Sequence, residues 1–172
     1  ILLIDPVILE PDAYLGDQHI VPDPMDHPVS KRRSHWDSAE QMAGRFAQRP
    51  PYALWDHDVL RDYCAYGLLP SGDGQGFELA CPPKLEASIY QNAPAASPYD
   101  WADRVKARTH IWRAPQRPRA DAMDFANSPT WLGAAAAFGA ETDRLWPDHS
   151  HFMPMEAPQR VAQEMAALFG LK

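Results

Sequence analysis

The residues best suited to acid–base chemistry lie near the end of the sequence, in the stretch His149-Ser150-His151-Phe152-Met153-Pro154-Met155-Glu156-Ala157-Pro158. After this stretch, apolar residues recur at the spacing of one helix face: Val161, Met165, Leu168 and Phe169. Pro158 is tolerated in the first turn of that helix, and Glu156 suits the positive end of the helix dipole. A histidine just ahead of a docked helix is held by a rigid scaffold and still reaches an open face, which suits a base that transfers protons.

The pattern Ser-His-Phe-x-Pro-Met-Glu-x-Pro over residues 150–158 resembles the end of α/β-hydrolases, where it closes the catalytic set. The resemblance implies that His151, and not His149, is the catalytic histidine, which acts with a nucleophile and with a carboxylate that orients it. It covers nearly the whole chain, including the Leu-Ile-Asp-Pro run at residues 3–6. The alternative is that His151 is an ordinary loop histidine.

The carboxylate partner has two candidate places in this resemblance. The commoner place, after the seventh strand, falls on Gln116, which cannot serve as an acid, so that Asp121 or Asp124 could serve only if the loop is longer than usual. The other place, at the end of the sixth strand, falls on Asp5. An Asp at the carboxyl end of a strand points into the crevice where α/β proteins bind ligands. We therefore predict that Asp5 lies within hydrogen-bond reach of His151; Asp121, Asp124 and a purely turn-forming role for Asp5 remain alternatives.

The sequence contains no nucleophile elbow. In α/β-hydrolases the elbow has the pattern Gly-x-nucleophile-x-Gly, and no Ser, Cys or Asp of this sequence fits it. Ser71 and Asp73 lie in a glycine-rich loop but have the wrong flanking residues. The resemblance places the elbow upstream of Ile1. A sequence that starts without Met and without a signal-peptide pattern is what we expect of the middle of a larger protein.

A metal site is the competing chemistry. Two groups of residues have suitable ligand types: His149 and His151 with Asp148 and Asp143, and Asp56-His57-Asp58. The spacing fixes no third ligand in either group, so we expect no metal. The glycine-rich loop at residues 71–76 does not follow a buried strand, which predicts a turn and not a phosphate cradle.

The elements that must position these residues follow an α/β order with an inserted helical segment. The aliphatic run Ile1–Ile4 predicts a strand buried on both faces of a parallel sheet. Thr109–Trp112 predicts its parallel neighbour, and Thr142–Trp146 is the last strand candidate. Further helices are predicted from about Ser38 to Pro50-Pro51, over His57–Tyr66 and Pro83–Gln91, near Tyr99–Ala107, and from Ser128 through Phe138.

The predicted fold class is α/β. We interpret residues 1–9 and 104–172 as the C-terminal part of an α/β-hydrolase parallel sheet, and residues 10–103 as a helical cap inserted between the sixth and seventh strands.

The composition excludes several classes of function. The net charge of −7 and the pI of about 5.4 argue against a nucleic-acid-binding surface. No apolar run is long enough to predict a membrane span. Cys64 and Cys81 form neither a disulfide framework nor a metal motif, and their apolar neighbours predict two buried free thiols, which fits a reducing cytoplasm.

The resemblance implies a hydrolase of an ester or a related small apolar substrate, which needs no cofactor. His151 would be the general base and acid, Asp5 would orient it, and the nucleophile would lie outside this chain. The alternatives are a fragment of an epoxide hydrolase or haloalkane dehalogenase, and a non-catalytic interaction protein on a truncated hydrolase scaffold. A truncated sheet would leave Ile1–Ile4 as an unpaired apolar edge, so we expect self-association or pairing with the missing N-terminal half.

Overall fold

The computed structural model describes residues 1–16, 20–116 and 126–171. The contacts divide the chain into two compact units. The parallel-sheet unit comprises Ile1–Ala13, Leu54–Asp56 and Ser97–Lys172, and the helical unit comprises Tyr14–Ala53 and His57–Ala96. The core and cap bounds drawn from the sequence stay a prediction.

In chain order, the strands are β1 (Leu2–Ile4), β2 (His35–Trp36), β3 (Leu68–Pro70), β4 (Phe77–Leu79), β5 (His110–Arg113) and β6 (Thr142–Leu145). The helices are α1 (Ala39–Phe46), α2 (His57–Tyr66), α3 (Pro83–Asn92), α4 (Ala134–Ala137), α5 (Met153–Glu156) and α6 (Pro158–Phe169). Short 3-10 helices span Pro11–Ala13, Pro24–Asp26, Pro28–Lys31, Tyr52–Leu54, Ala93–Ala95 and Pro98–Arg104.

The parallel-sheet unit is built on the order β1-β5-β6, with both pairings parallel. Leu3 pairs with Ile111, and Ile111 pairs in turn with Asp143. The predicted parallel pairing of the first strand with the run at residues 109–112 is therefore confirmed, as is the last strand. Parallel strands bring their carboxyl ends to one edge, where the residues that follow β1 and β5 meet.

Both faces of this sheet are covered. On one face, α6 packs Val161, Met165 and Leu168 against Trp112 and Trp146. On the other face, Ile111 packs with Ile8, Ala134 and the partly buried Tyr99 and Trp131. The predicted final helix is confirmed, and Gly170 ends it in the left-handed conformation that suits a helix C-terminus (φ 64°).

Three expectations for this unit differ from the structure in length, helix type or burial. The helix expected from Ser128 is only the four-residue α4, because the Ser-Pro-Thr run makes side-chain contacts in place of a first helical turn. The segment near residues 99–107 forms the 3-10 helix Pro98–Arg104. The residues of β1 are half-buried and not fully buried, because β1 is an edge of the sheet that the described residues form.

The helical unit contains α1, α2 and α3 with a small antiparallel sheet of order β2-β4-β3. Met42 of α1 and Cys64 of α2 are fully buried. Ser38 caps α1 by accepting a hydrogen bond from the Gln41 N–H. The three helices predicted here are confirmed, but the sheet was not predicted. The glycine-rich loop is the turn between β3 and β4, and at Gly76 a Cβ would meet the Trp36 carbonyl oxygen at 2.6 Å.

The two cysteines differ in burial. Cys64 is buried, but Cys81 is exposed, so the expectation of two buried thiols is wrong for Cys81. Cys81 follows β4 at the start of the turn into α3, where the apolar neighbours in the sequence do not enclose it. Within the described ranges, no helix combines the length and the hydropathy needed to cross a bilayer.

Candidate active site

Asp5 directly follows β1 and is 1% exposed. Its backbone N–H donates to the Trp112 carbonyl oxygen at 2.6 Å, so it is the last residue held by the sheet. Its φ is 44°, in the left-handed region that Asp tolerates better than most residues do. Backbone strain of this kind concentrates at functional sites, which directs attention to the side chain.

The Asp5 carboxylate is held by donors from two other segments. Oδ1 accepts from the Ala114 N–H at 2.8 Å and from the Ser128 hydroxyl at 2.7 Å. Thr130 Oγ1 lies 3.4 Å from the same oxygen but 2.7 Å from the Pro6 carbonyl oxygen, so its single proton goes to Pro6. One carboxylate oxygen is thus occupied by structural donors, and Oδ2 remains for another partner.

That partner is His151. Its Nδ1 lies 2.8 Å from Asp5 Oδ2, across a sequence separation of 146 residues. The predicted contact between the two side chains is therefore present. Because a carboxylate can only accept, this hydrogen bond requires the proton on Nδ1, so that in the neutral imidazole the lone pair lies on Nε2. The His151 side chain is 27% exposed while that of Asp5 is 0% exposed, so the pair joins a buried anion to a ring that solvent can reach.

The loop that carries His151 is fixed at its backbone. The His151 N–H donates to the Ala126 carbonyl oxygen at 3.0 Å. The ring contacts that of Phe152 edge to face, with centroids 5.2 Å apart. No residue of the described part of the chain hydrogen-bonds Nε2 in the structure. Such a nitrogen can accept a proton and return it.

Gln116 has a supporting role in place of the acid that the resemblance assigns to that position. Its Nε2 donates to the Thr130 carbonyl oxygen at 2.7 Å and so fixes the segment that holds Asp5. Asp121 and Asp124, the alternative acids, lie outside the described residues.

Sequence reasoning missed Ser128 and the Ala114 N–H as partners of Asp5, and it missed Thr130, which donates to the Pro6 carbonyl oxygen next to Asp5. Ser-Pro-Thr has the pattern of a helix start, which led to the wrong expectation of a helix there. Only the pairing of β1 with β5 brings Ala114 beside Asp5, and no local signal in the sequence shows this.

The candidate metal ligands do not assemble. Across residues 1–16, 20–116 and 126–171, no three His, Cys, Asp or Glu side chains are grouped to hold a metal ion. His149 packs edge to face on Trp146, with centroids 5.3 Å apart. Its Nδ1 is buried without a hydrogen-bond partner among the described residues, and it takes no part in the contact between Asp5 and His151.

Comparison with known proteins supports the fold. No protein-family model matches the sequence, and no curated protein matches it. Among solved structures, the chain is similar to the peroxisomal α/β-hydrolase Lpx1 from Saccharomyces cerevisiae, with a TM-score of 0.67 and 13% identity over 98% of this chain and 44% of that one. It is also similar to E-2-(acetamidomethylene)succinate hydrolase, with a TM-score of 0.54 and 12% identity over 79% of this chain and 47% of that one.

The chain thus carries part of an α/β-hydrolase fold, which confirms the predicted fold class. It spans less than half the length of either structure. At 12% and 13% identity the likeness concerns the fold, and it assigns no activity.

Proposed function

We propose that this chain supplies the general base and the orienting acid of a hydrolase that acts on an ester or a related small apolar substrate. His151 is the base and acid, and Asp5 orients its ring. The observation that carries the proposal is the 2.8 Å contact between Asp5 Oδ2 and His151 Nδ1. The fully buried carboxylate and the partly exposed imidazole support it.

The geometry suits acyl transfer in two steps. His151 Nε2 takes the proton of the nucleophile as that group attacks the ester carbonyl, and Asp5 stabilises the imidazolium that forms. His151 then gives the proton to the departing alcohol oxygen as the ester bond breaks. In the second step, Nε2 takes a proton from water, which attacks the acyl intermediate, and returns it to the nucleophile. No cofactor is required for this chemistry.

The nucleophile belongs to another polypeptide segment in this proposal, since the 172 residues contain no elbow pattern. Among the described residues only β5 pairs with β1, so the other edge of β1 is the natural place for the segment that brings the nucleophile. Self-association through the same edge is the alternative. A Ser nucleophile would favour acyl transfer, and an Asp would favour epoxide or halide chemistry.

The proposal is tested by ester hydrolysis with matched histidine variants. The chain by itself is expected to give no burst of product from an activated ester. Joined to an N-terminal polypeptide that carries a nucleophile elbow, it is expected to turn over, and His151→Gln should abolish that turnover. His149→Gln is the control, because His149 lies two residues away and does not contact Asp5.

Two results would contradict the proposal. A burst from the chain by itself that disappears on a single Ser→Ala or Cys→Ala change would place the nucleophile within these residues. Turnover that survives His151→Gln would remove His151 from the chemistry. A failure of every such assembly to hydrolyse esters would instead favour an interaction protein, which the missing elbow already brings into consideration.

A further inference from the structure

The turn before His151 is held by the carboxylate of Glu156. Glu156 Oε2 accepts from the Ser150 backbone N–H at 3.0 Å, and Oε1 accepts from the Ser150 hydroxyl. The Ser150 oxygen in turn accepts from the Phe152 N–H at 3.1 Å. One carboxylate therefore fixes the residue before His151 directly and the residue after it through Ser150.

We propose that Glu156 is a positioning residue that holds His151 in register with Asp5. This inference rests on the proposed function, since it assigns Glu156 a part in the same site. Glu156 does not contact His151 itself, so it acts through Ser150. We call the two hydrogen bonds between Ser150 and the Glu156 carboxylate the Glu156–Ser150 clamp. Charge-assisted hydrogen bonds of this kind are about twice as strong as neutral ones.

The clamp is suited to this task by its place in the fold. Glu156 is the last residue of α5, and Met153 of that helix is fully buried in the core under the sheet. The carboxylate is thus carried by an element that the core fixes. Ser150 is 9% exposed, so water competes little for its hydroxyl. A displacement of about 1 Å in a catalytic group can cost about a hundredfold in rate, which gives such a clamp a functional consequence.

The tautomer of His151 can be read by NMR in the wild-type chain. A proton on Nδ1 that is hydrogen-bonded to a carboxylate gives a far-downfield resonance, and the ring 15N shifts report which nitrogen carries it. We expect this resonance in the wild type and its loss in Asp5→Asn. These two results establish the Asp5–His151 pair before Glu156 is tested.

Glu156→Gln keeps the shape of the side chain but replaces one acceptor by a donor that faces the Ser150 hydroxyl. We expect the Nδ1 proton to exchange with water roughly tenfold faster, which corresponds to about 1.4 kcal/mol. Ser150→Ala removes the hydroxyl, and with it the hydrogen bond to Glu156 and the one accepted from the Phe152 N–H, but it keeps the bond from the Ser150 N–H to Glu156; we expect an acceleration of roughly threefold. The acceleration in the double variant should be smaller than the product of the two single accelerations, because both changes remove the same hydrogen bond between Glu156 and the Ser150 hydroxyl.

The matched control is Glu164→Gln. Glu164 forms an ion pair with Arg144 at 2.7 Å and does not contact Ser150. The Glu164→Gln variant should be slightly less stable than the wild type, and the exchange rate of its His151 Nδ1 proton should be unchanged. Equal exchange rates in Glu156→Gln, Glu164→Gln and the wild type would overturn the inference while the Asp5–His151 pair stands. Absence of the resonance in the wild type would instead overturn the pair. If Glu156→Gln does not fold, Ser150→Ala carries the same test.

Discussion

Each of the two units holds a charged side chain among polar partners, the buried Asp5 in one and the half-buried Arg32 in the other, but only the cluster around Asp5 leaves a reactive atom open. In the parallel-sheet unit, the buried Asp5 carboxylate holds His151, whose second ring nitrogen has no hydrogen-bond partner in the described part of the chain. In the helical unit, the Arg32 guanidinium pairs with Glu86 at 2.6 Å. The Arg32 guanidinium has no acceptor atom, and the Glu86 carboxylate accepts a hydrogen bond from it.

In the helical unit, Arg32 stays charged and Tyr52 stays neutral, because the pKa of each is raised. Burial acts against the charge of Arg32, but the hydrogen bond with Tyr63 and the charge of Glu86 raise its pKa above the ordinary value. Burial also raises the pKa of Tyr52, so the phenol stays neutral. A half-buried charge with good partners is therefore not by itself a functional site. What distinguishes the Asp5–His151 pair is an imidazole ring that is 27% exposed to solvent and that has a second nitrogen able to accept a proton and return it.

The largest expected effect on stability is at Asp5. Asp5→Ala should lower the free energy of unfolding by about 3–5 kcal/mol, because it leaves the Ala114 N–H, the Ser128 hydroxyl and the His151 ring N–H without an acceptor. Alanine also suits φ 44° poorly. Asp5→Asn keeps an oxygen acceptor and tolerates the left-handed conformation, so it should cost only about 1–2 kcal/mol. Urea unfolding measures both values, and an alanine variant within about 1 kcal/mol of wild type would contradict the role of the donors.

Changes to the ion pair of Arg32 and Glu86 in the helical unit should lower the free energy of unfolding less than Asp5→Ala does. Glu86→Gln is expected to cost about 1 kcal/mol, because Arg32 keeps Tyr63 and both side chains of the pair are about one-fifth exposed to solvent (22% and 23%). Glu164→Gln, at the more exposed pair with Arg144, should lower the free energy of unfolding by less than Glu86→Gln does. If Glu86→Gln lowers the free energy of unfolding as much as Asp5→Ala does, the buried carboxylate of Asp5 is no more important for stability than the ion pair of the helical unit.

The smallest expected effect is a difference in the alkylation rates of the two cysteines in the helical unit, Cys64 and Cys81. Burial raises the pKa of Cys64 to about 11, so at pH 8 only about 0.1% of this thiol is thiolate. As long as the pH is below the pKa, the thiolate fraction increases about tenfold for each unit by which the pH is raised. Iodoacetamide at pH 8 should therefore modify the exposed Cys81 first in the native chain, and both cysteines after unfolding. Mass spectrometry of the peptides measures this. Equal native rates would show that the helical unit opens readily.

The parallel sheet was predictable because its strands and last helix have strong patterns. The aliphatic run of β1 and the helical spacing of Val161, Met165 and Leu168 each survive in the structure, since core packing acts in the same direction as local preference. The contact between Asp5 and His151 was predictable only through the resemblance, because no local rule joins residues 146 positions apart.

Other features lacked a readable signal. Strands β2 to β4 have two or three residues each, too few to show a period of two. Ser128 and Thr130 follow the helix-start pattern, but the buried carboxylate of Asp5 and the Pro6 carbonyl draw their hydroxyls away from a helix. Glu156 was interpreted as a helix-dipole charge, and its bond to Ser150 emerges only from the tight turn.

The central claim, that Asp5 orients His151 as the base of a hydrolase, is tested most directly by turnover of Asp5→Asn in the assembly that carries the nucleophile. Asn favours the wrong imidazole tautomer, so we predict a loss of about 10⁴ in kcat, the size known for the same change in serine proteases, with circular dichroism unchanged. An Asp5→Asn enzyme within about tenfold of wild type, together with loss of activity in Asp121→Asn or Asp124→Asn, would contradict the assignment of Asp5.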